Sequence, residues 1–218
     1  MARSKTSRKW MREHVTDPFV QRATRQGFRS RAVFKLEEII ARDKLIRPGM
    51  CVVDLGAAPG GWSQLVAPMV GAGGKVLALD ILEMDPIPNV EFIQGDFRDD
   101  AVLERLEQAL DGHPVDLVLS DMAPNITGVR STDQARWAHL SELAVEFARN
   151  HLNPGGTLLV KCFQGAGVDD LRREVGALFE SVVVRKPKAS RDRSREFFLL
   201  ARGLRSEAGQ RAQQGETV

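Results

Sequence analysis

Five short apolar runs, Cys51–Leu55, Lys75–Leu79, Val90–Ile93, Val115–Leu119 and Thr157–Val160, recur at strand length and are separated by longer segments of helical character. Strands of a parallel sheet read as continuous apolar runs because helices cover both sheet faces. The alternation therefore predicts an α/β fold with a mostly parallel sheet and helices on both faces. Ser131 to Leu152 carries Leu140, Leu143, Ala144 and Phe147 on one helical face, and Asn153-Pro154-Gly155-Gly156 stops it. Val168 to Phe179 repeats the pattern more briefly. Between Leu79 and Val90 the chain is short for a crossover helix and holds Pro86 and Pro88, so a turn or a single helical turn is expected. Ser181–Val184 and Glu196–Ala201 read as two strands joined by RKPKASRDRSR. A link of that length permits only an antiparallel pair, so the last strand runs against the others and starts, at Glu196, on the edge where the parallel strands end.

A length of 218 residues suits one domain with small appendages, and 43% hydrophobic with 28% charged residues is a globular composition. The segments expected are a basic N-terminal arm over residues 1–29, a catalytic domain over 30–203, and a polar, disordered tail over 204–218. No run reaches the apolar length of a membrane span, and the first ten residues lead into no apolar stretch of a secretory signal. Two cysteines, Cys51 and Cys162, sit in separate apolar runs, which suits reduced thiols and a cytoplasmic location. Four scattered histidines offer no metal-ligand spacing, so no metal is expected.

The net charge of +2 conceals an asymmetry that changes this picture. Residues 1–35 hold ten Lys or Arg against Glu13 and Asp17, and residues 185–205 hold eight against Asp192 and Glu196, whereas the body between them is acidic. Basic segments of that density neutralise phosphates and release counterions, which points to a nucleic-acid partner, although a solvated terminus and a charged loop would look the same.

The strongest local signal is VVDLGAAPGGWSQ, from Val52 to Gln64: a buried strand, an acid at its end, and a glycine-rich turn that opens a helix. The Ala-Ala-Pro insert breaks the dinucleotide-binding spacing, and the wider turn suits a bulky ligand without a pyrophosphate. Asp80 in KVLALD and Asp96 in FIQGDF end the next two strands. Ligands of open α/β sheets bind outside the carboxyl ends of the strands, so both acids face the crevice of the glycine turn. One is placed for ribose hydroxyls and the other for an adenine amino group. Together they describe a pocket for an adenosine without phosphate, which points to S-adenosylmethionine. Taken singly, each acid is also an ordinary turn or cap residue. Asp121 in SDMAPN and Lys161 in LLVKCFQG end the fourth and fifth strands, and Glu196 starts the last, so the three converge on the same crevice. A lysine at a strand end commonly snorkels to solvent. Among acids and beside a sulfonium it is a candidate for proton chemistry.

The ordered set of Lys35 in SRAVFKLEE, Asp121, Lys161 and Glu196 in SREFF resembles the Lys-Asp-Lys-Glu tetrad of ribose 2′-O-methyltransferases. From RSRAVFKLEEI through DLGAAPGGWSQ and QGDFRD to RKPKASRDRSRE, about residues 10 to 203, the chain resembles the bacterial FtsJ/RlmE-type 23S rRNA (uridine-2′-O-)-methyltransferase family. The resemblance implies a Rossmann-like methyltransferase domain, S-adenosylmethionine as methyl donor, and a uridine ribose in the A-loop of 23S rRNA, within the large (50S) ribosomal subunit, as target. It implies cofactor contacts at Gly60, Trp62, Asp80, Asp96 and Asp121, Lys161 as proton acceptor, and Lys35 and Glu196 as positioning and electrostatic groups. A monomer without membrane association is expected. The chain departs from the pattern in having no tyrosine: Phe198 stands near Glu196 where the family can carry one. The same tetrad also occurs in tRNA and mRNA-cap 2′-O-methyltransferases, and a non-catalytic RNA-binding assembly factor with a relic cofactor fold is the reading from another class.

Overall fold

A computed structural model describes residues 15–124, 127–191 and 194–206. In chain order the elements are α1 (Pro18–Gln26), α2 (Val33–Asp43), β1 (Cys51–Leu55), α3 (Gly61–Val70), β2 (Lys75–Asp80), β3 (Glu91–Gln94), α4 (Asp100–Leu110), β4 (Val115–Ser120), α5 (Arg130–His151), β5 (Leu152–Phe163), α6 (Val168–Leu178), β6 (Phe179–Arg185) and β7 (Glu196–Leu204). The seven strands form one sheet in the order β3-β2-β1-β4-β5-β7-β6. Strands β1 to β5 pair in parallel, and β7 runs antiparallel to both β5 and β6. This is the Rossmann-like α/β architecture, with the reversed last strand that the short β6–β7 link requires.

Alternate strand residues feed two cores, as the pleat demands. Val53, Leu55, Val118, Leu158 and Val160 pack under α4, α5 and α6, through Leu106, Trp137, Phe147 and Val175. Val52, Leu117, Leu119, Leu159, Phe198 and Leu200 pack on the other face under α2 and α3, through Leu36, Ile39, Trp62 and Val66. Helices therefore cover both faces, and burial of these two layers supplies the main driving force for the fold.

Three local outcomes bear on the sequence pattern, two of them against it. Asn153-Pro154-Gly155-Gly156 does not separate helix from strand; it belongs to β5, which begins at Leu152 opposite Val115 and shifts register before Leu117 meets Thr157. Gly155, at φ 83°, turns the backbone there. Second, β2 and β3 are parallel yet joined by residues 81–90 with no helix at all, so the expected turn is the entire connection. Third, α1 lies within the basic N-terminal segment. Asp17 caps it by accepting from the Phe19 and Val20 N–H groups at 2.9 and 3.4 Å, Pro18 starts it, and Gly27 ends it in the left-handed region. Phe19 and Phe28 flank Phe34 of α2 at ring-centroid distances of 5.8 and 5.9 Å, which packs α1 onto the domain. Residues 1–14 of the expected arm and 207–218 of the expected tail lie outside the described residues, whereas Leu204 is buried at the end of β7. Among the described residues, no helix is long and apolar enough to cross a membrane.

Candidate active site

The carboxyl ends of β1, β2 and β4 and the loop after β3 open on one cavity of about 520 Å³. That volume is within the usual range for small-molecule sites. The glycine turn after β1 is held to β2 because the Gly56 and Ala57 N–H groups both donate to the Leu79 carbonyl, at 2.9 and 3.1 Å. Gly56 needs its φ of 78°, and a Cβ there would stand 2.8 Å from Met122 Cγ, so its bareness lets the loop after β4 close the cavity wall. The lining includes Gly56, Ala58, Asp80, Asp96, Asp121 and Met122.

Each sequence-predicted cofactor residue has a definite place. Asp80 accepts from the Ala58 and Leu82 N–H groups, both at 2.9 Å, which ties its carboxylate to the glycine turn and to the loop that follows it. Asp96 accepts from Arg98 Nε and the Arg98 N–H at 2.9 and 3.0 Å, and this pairing holds its carboxyl below the usual carboxylate range. Asp121 lines the cavity on the side facing Lys161. Gly60 and Trp62 are outside the lining. The Trp62 side chain is buried, packs on Phe198 with ring centroids 5.7 Å apart and tilted by 43°, and donates Nε1–H to the Ala32 carbonyl at 2.9 Å, so its ring is packing beneath the site and holds the start of α2. What Gly60 and Trp62 can offer a ligand is main chain at the N-terminus of α3: the Trp62 N–H, in the first turn, lacks an intrahelical acceptor, while the Gly60 N–H already donates to the Ala57 carbonyl at 2.7 Å.

The four tetrad residues meet. Lys35 Nζ is 2.6 Å from Glu196 Oε1, and Lys161 Nζ is 2.9 Å from Asp121 Oδ1. Lys161 also donates to the Asp121 main-chain carbonyl. All four side chains are largely buried. Burial alone would push the Glu196 carboxyl up, but Lys35, Ser190 and Lys161 outweigh it and hold the group below its ordinary value. That influence of Lys161 on Glu196 joins the two ion pairs into one cluster. Phe198, pairing with Lys161 across β5 and β7 and fully buried, forms its floor, with the Lys35 ammonium 5.9 Å from the ring centroid. No phenolic hydroxyl takes part at that position. Trp137 Nε1–H donates to the Lys161 carbonyl at 3.1 Å and fixes the strand end from the α5 side.

Sequence reasoning assigned no role to three residues that shape the site. Arg136 and His139 of α5 line the cavity, and only the packing of α5 on the sheet brings them there. Asp54, the acid at the end of β1, is 1% exposed, accepts from Ser63 Oγ at 2.7 Å through Oδ2, and leaves Oδ1 unpartnered. Burial pushes its carboxyl up to about 7 against the Ser63 hydrogen bond, and the charges of Asp121 and Asp80 add to the rise. Its signal was present in the sequence: a charged residue between Val53 and Leu55, inside a run buried on both faces.

The donor set matches S-adenosylmethionine. Asp80, Asp96 and Asp121 in the lining offer acceptors for hydroxyl and amino groups, and their charge favours a sulfonium. Among the described residues, no group of three or more His, Cys, Asp or Glu is arranged to hold a metal ion.

Comparison with known proteins agrees with this geometry. A family model described as FtsJ-like methyltransferase matches residues 28–204. Ribosomal RNA large subunit methyltransferase E of Pseudomonas aeruginosa is 57% identical over 207 residues, covering 95% of this chain and 100% of that protein. Its counterpart in Azoarcus sp. is 60% identical over 205 residues, covering 94% and 100%. A solved ribosomal RNA methyltransferase from Plasmodium falciparum superposes with a TM-score of 0.72 at 30% identity, over 81% of this chain and 98% of that one.

One expectation is corrected: the cytoplasmic location does not stand. The matched family and the relatives carry a reaction and no compartment. The thiols that suggested it, Cys51 and Cys162, are buried, and burial pushes them up to about 11 and about 12. Their unpaired state follows from their places in the core and says nothing of the surrounding redox conditions.

Asp54 generates a test. Its carboxyl is raised in the folded state, so the native protein holds a proton that the unfolded chain releases at lower pH. The contribution of Asp54 to folding stability is then fully present below the unfolded value, about pH 4, and is lost as pH rises towards about 7. Asp54→Asn should remove this contribution, so the gap between wild-type and variant urea midpoints should change from low to neutral pH in step with it. An unchanged gap would show that Asp54 does not hold that proton.

Proposed function

Because the chain belongs to the FtsJ-like methyltransferase family, we propose that it methylates the ribose 2′-hydroxyl of a uridine in the A-loop of 23S rRNA within the large ribosomal subunit, acting as a monomer. The observation that carries the chemistry is the buried cluster of Lys35, Glu196, Lys161 and Asp121 beside a cavity suited to S-adenosylmethionine. The near-complete coverage of large-subunit rRNA methyltransferases favours this target over tRNA or an mRNA cap, and the intact cluster favours an enzyme over a non-catalytic assembly factor.

S-adenosylmethionine supplies a methyl group made electrophilic by its sulfonium. Asp80 would receive ribose hydroxyls of the donor, Asp96 its adenine amino group, and Gly60 and Trp62 would contribute main-chain contacts at the start of α3. Asp121 closes the site towards Lys161. The donor would supply the methyl group to the 2′-oxygen, with the carbon–sulfur electron pair staying on sulfur, and the chain's own task is to hold the hydroxyl in line and receive its proton. Lys161 Nζ, 2.9 Å from Asp121 Oδ1, would be the acceptor. Holding the hydroxyl in line for attack removes an entropic barrier, and base assistance adds to it.

Charge bookkeeping explains why two acids and two lysines are needed. Were Lys161 to enter as the amine, one Lys35 ammonium against two carboxylates would leave these four groups at −1, matching the donor's sulfonium, and taking the proton would restore the four to neutrality, avoiding the cost of an uncompensated buried ion. Lys35 and Glu196 act by position: their 2.6 Å pair holds Glu196 ionised and fixes it near Lys161.

RNA is held by phosphate contacts outside this cluster, and the structure narrows the cations available for them. Arg185 is committed to Asp43 at 2.6 and 2.7 Å, Arg202 to the Asp43 carbonyl, and Lys186 to the Ser194 and Glu196 carbonyls. Arg22 pairs with Glu37, and Arg31 with Asp17 and the Ala189 carbonyl. In the loop before β7, Arg195 is exposed and Arg191 is 3.8 Å from Asp17, while Arg193 lies outside the described residues.

Two experiments test this reading. Undermodified large subunits incubated with labelled S-adenosylmethionine should yield 2′-O-methyluridine in the A-loop of 23S rRNA; label confined to tRNA, or none, would overturn the assignment. Neutralising Arg191 and Arg195 together should weaken RNA binding and lower the slope of log affinity against log salt by about two. An unchanged slope would remove this loop from the RNA interface.

A further inference from the structure

We propose that Arg29 is a positioning residue of the cofactor pocket, pinning the β2–β3 connection onto the glycine turn, and is not one of the cations that hold RNA. The inference rests on the cavity being the S-adenosylmethionine site.

By sequence Arg29 belongs to the basic N-terminal segment and counts towards phosphate binding. Its guanidinium is otherwise engaged. Nη1 donates to the Asp85 carbonyl at 2.6 Å and to the Pro59 carbonyl at 3.2 Å, and Nη2 donates to the Pro86 carbonyl at 2.8 Å. One planar fork therefore joins two segments far apart in sequence, the glycine turn at Pro59 and the connection at Asp85 and Pro86. All three acceptors are main-chain carbonyls, so the contact fixes backbone position. The Arg29 main chain is itself anchored: its N–H donates to Gln64 Oε1 at 3.1 Å, and Gln64 Nε2 donates to the Gly27 carbonyl at 2.9 Å. Arg29 thus stands on α3 while it grips the loop.

The loop needs such a pin because it has no ladder of its own. Residues 81–90 join two parallel strands without the helix that normally fills a crossover. Its first residues, Ile81 and Leu82, are 54% and 63% exposed and line the cavity beside Asp80. Within the connection the Val90 N–H donates to the Ile87 carbonyl at 3.2 Å, beyond the exposed residues at its start, so bonds from outside steady this wall, and charge-assisted bonds from a guanidinium are strong ones. Gly60 fits the same picture. A Cβ at this residue would stand 2.7 Å from both Ile87 Cδ1 and Met84 Sδ and 3.1 Å from Arg29 Nη1. The bare Gly60 is what allows the connection and the Arg29 fork to close on the turn.

The test compares full-length wild type, Arg29→Gln, Arg29→Lys and Asp80→Asn by calorimetric titration with S-adenosylmethionine, by steady-state methyl transfer, and by the salt dependence of RNA binding. Arg29→Gln should weaken cofactor binding about tenfold and raise its KM to match, with kcat at saturation and the RNA salt slope unchanged. Arg29→Lys keeps the charge but not the planar fork, so it should recover only part of the affinity. The proposal is overturned if Arg29→Gln binds the cofactor as wild type does, if Arg29→Lys restores affinity fully, or if the salt slope falls. Circular dichroism and thermal melts establish that the variants fold; a globally unfolded Arg29→Gln alongside a folded Arg29→Lys of wild-type affinity also counts against it. Undiminished cofactor binding by Asp80→Asn would instead remove the cavity as the cofactor site, and this proposal with it.

Discussion

The antiparallel pairing of β7 with β5 is the constraint on which the site depends. It sets Lys161 opposite Phe198 and Phe163 opposite Glu196, so a residue from the start of the last strand stands beside one from the end of a parallel strand. Side chains alternate between sheet faces with a period of two, and a slip of one residue would turn Glu196 to the α5 side and leave Lys35 without its partner. The register is locked by burial: Phe198 and Leu200 fill the core under α2 and α3, while Phe197, Leu199 and Ala201 fill the core under α4 to α6. The hydrophobic pattern of β7 and the electrostatics of the cluster are in this sense one feature, and packing energy holds a set of charges that would not assemble by itself.

Four of the chain's 31 Lys and Arg residues serve this assembly. Arg185 and Arg202 bind α2 to β6 and β7 through Asp43, Arg31 reaches from the start of α2 to the loop beside Glu196, and Lys186 closes that loop onto the main chain of Glu196. The basic segments sit next to the cluster, so the same stretch of chain that presents Arg191 and Arg195 also positions Glu196. On the proposed function, phosphate recognition and proton chemistry would share one frame, as a target ribose placed for in-line attack requires.

The sheet was legible because buried parallel strands leave continuous apolar runs, and the reversed last strand followed from a link too short to cross over. Asp121, Lys161 and Glu196 were readable for the same reason, since strand ends fix them, whereas Lys35, on α2, entered only through the family resemblance. What was not legible depended on packing. Asn153-Pro154-Gly155-Gly156 reads as a stop signal, yet pairing with β4 carries it into β5 through a register shift. Helix α1 was hidden in a run of basic residues, although Asp17 followed by Pro18 is a start signal. Trp62 follows the glycine turn, and adjacency in sequence does not reveal that its ring turns inward onto Phe198. Arg136 and His139 reach the cavity only through the docking of a long helix, for which no local pattern exists.

The central claim is that Lys161, held by Asp121 and set beside Glu196, receives the proton of the 2′-hydroxyl. The most direct measurement is single-turnover methyl transfer by Lys161→Ala on undermodified large subunits, with S-adenosylmethionine and RNA affinities measured on the same protein. The account predicts a rate lower by about 10² to 10⁴ with both affinities retained. A wild-type rate in that variant would contradict it.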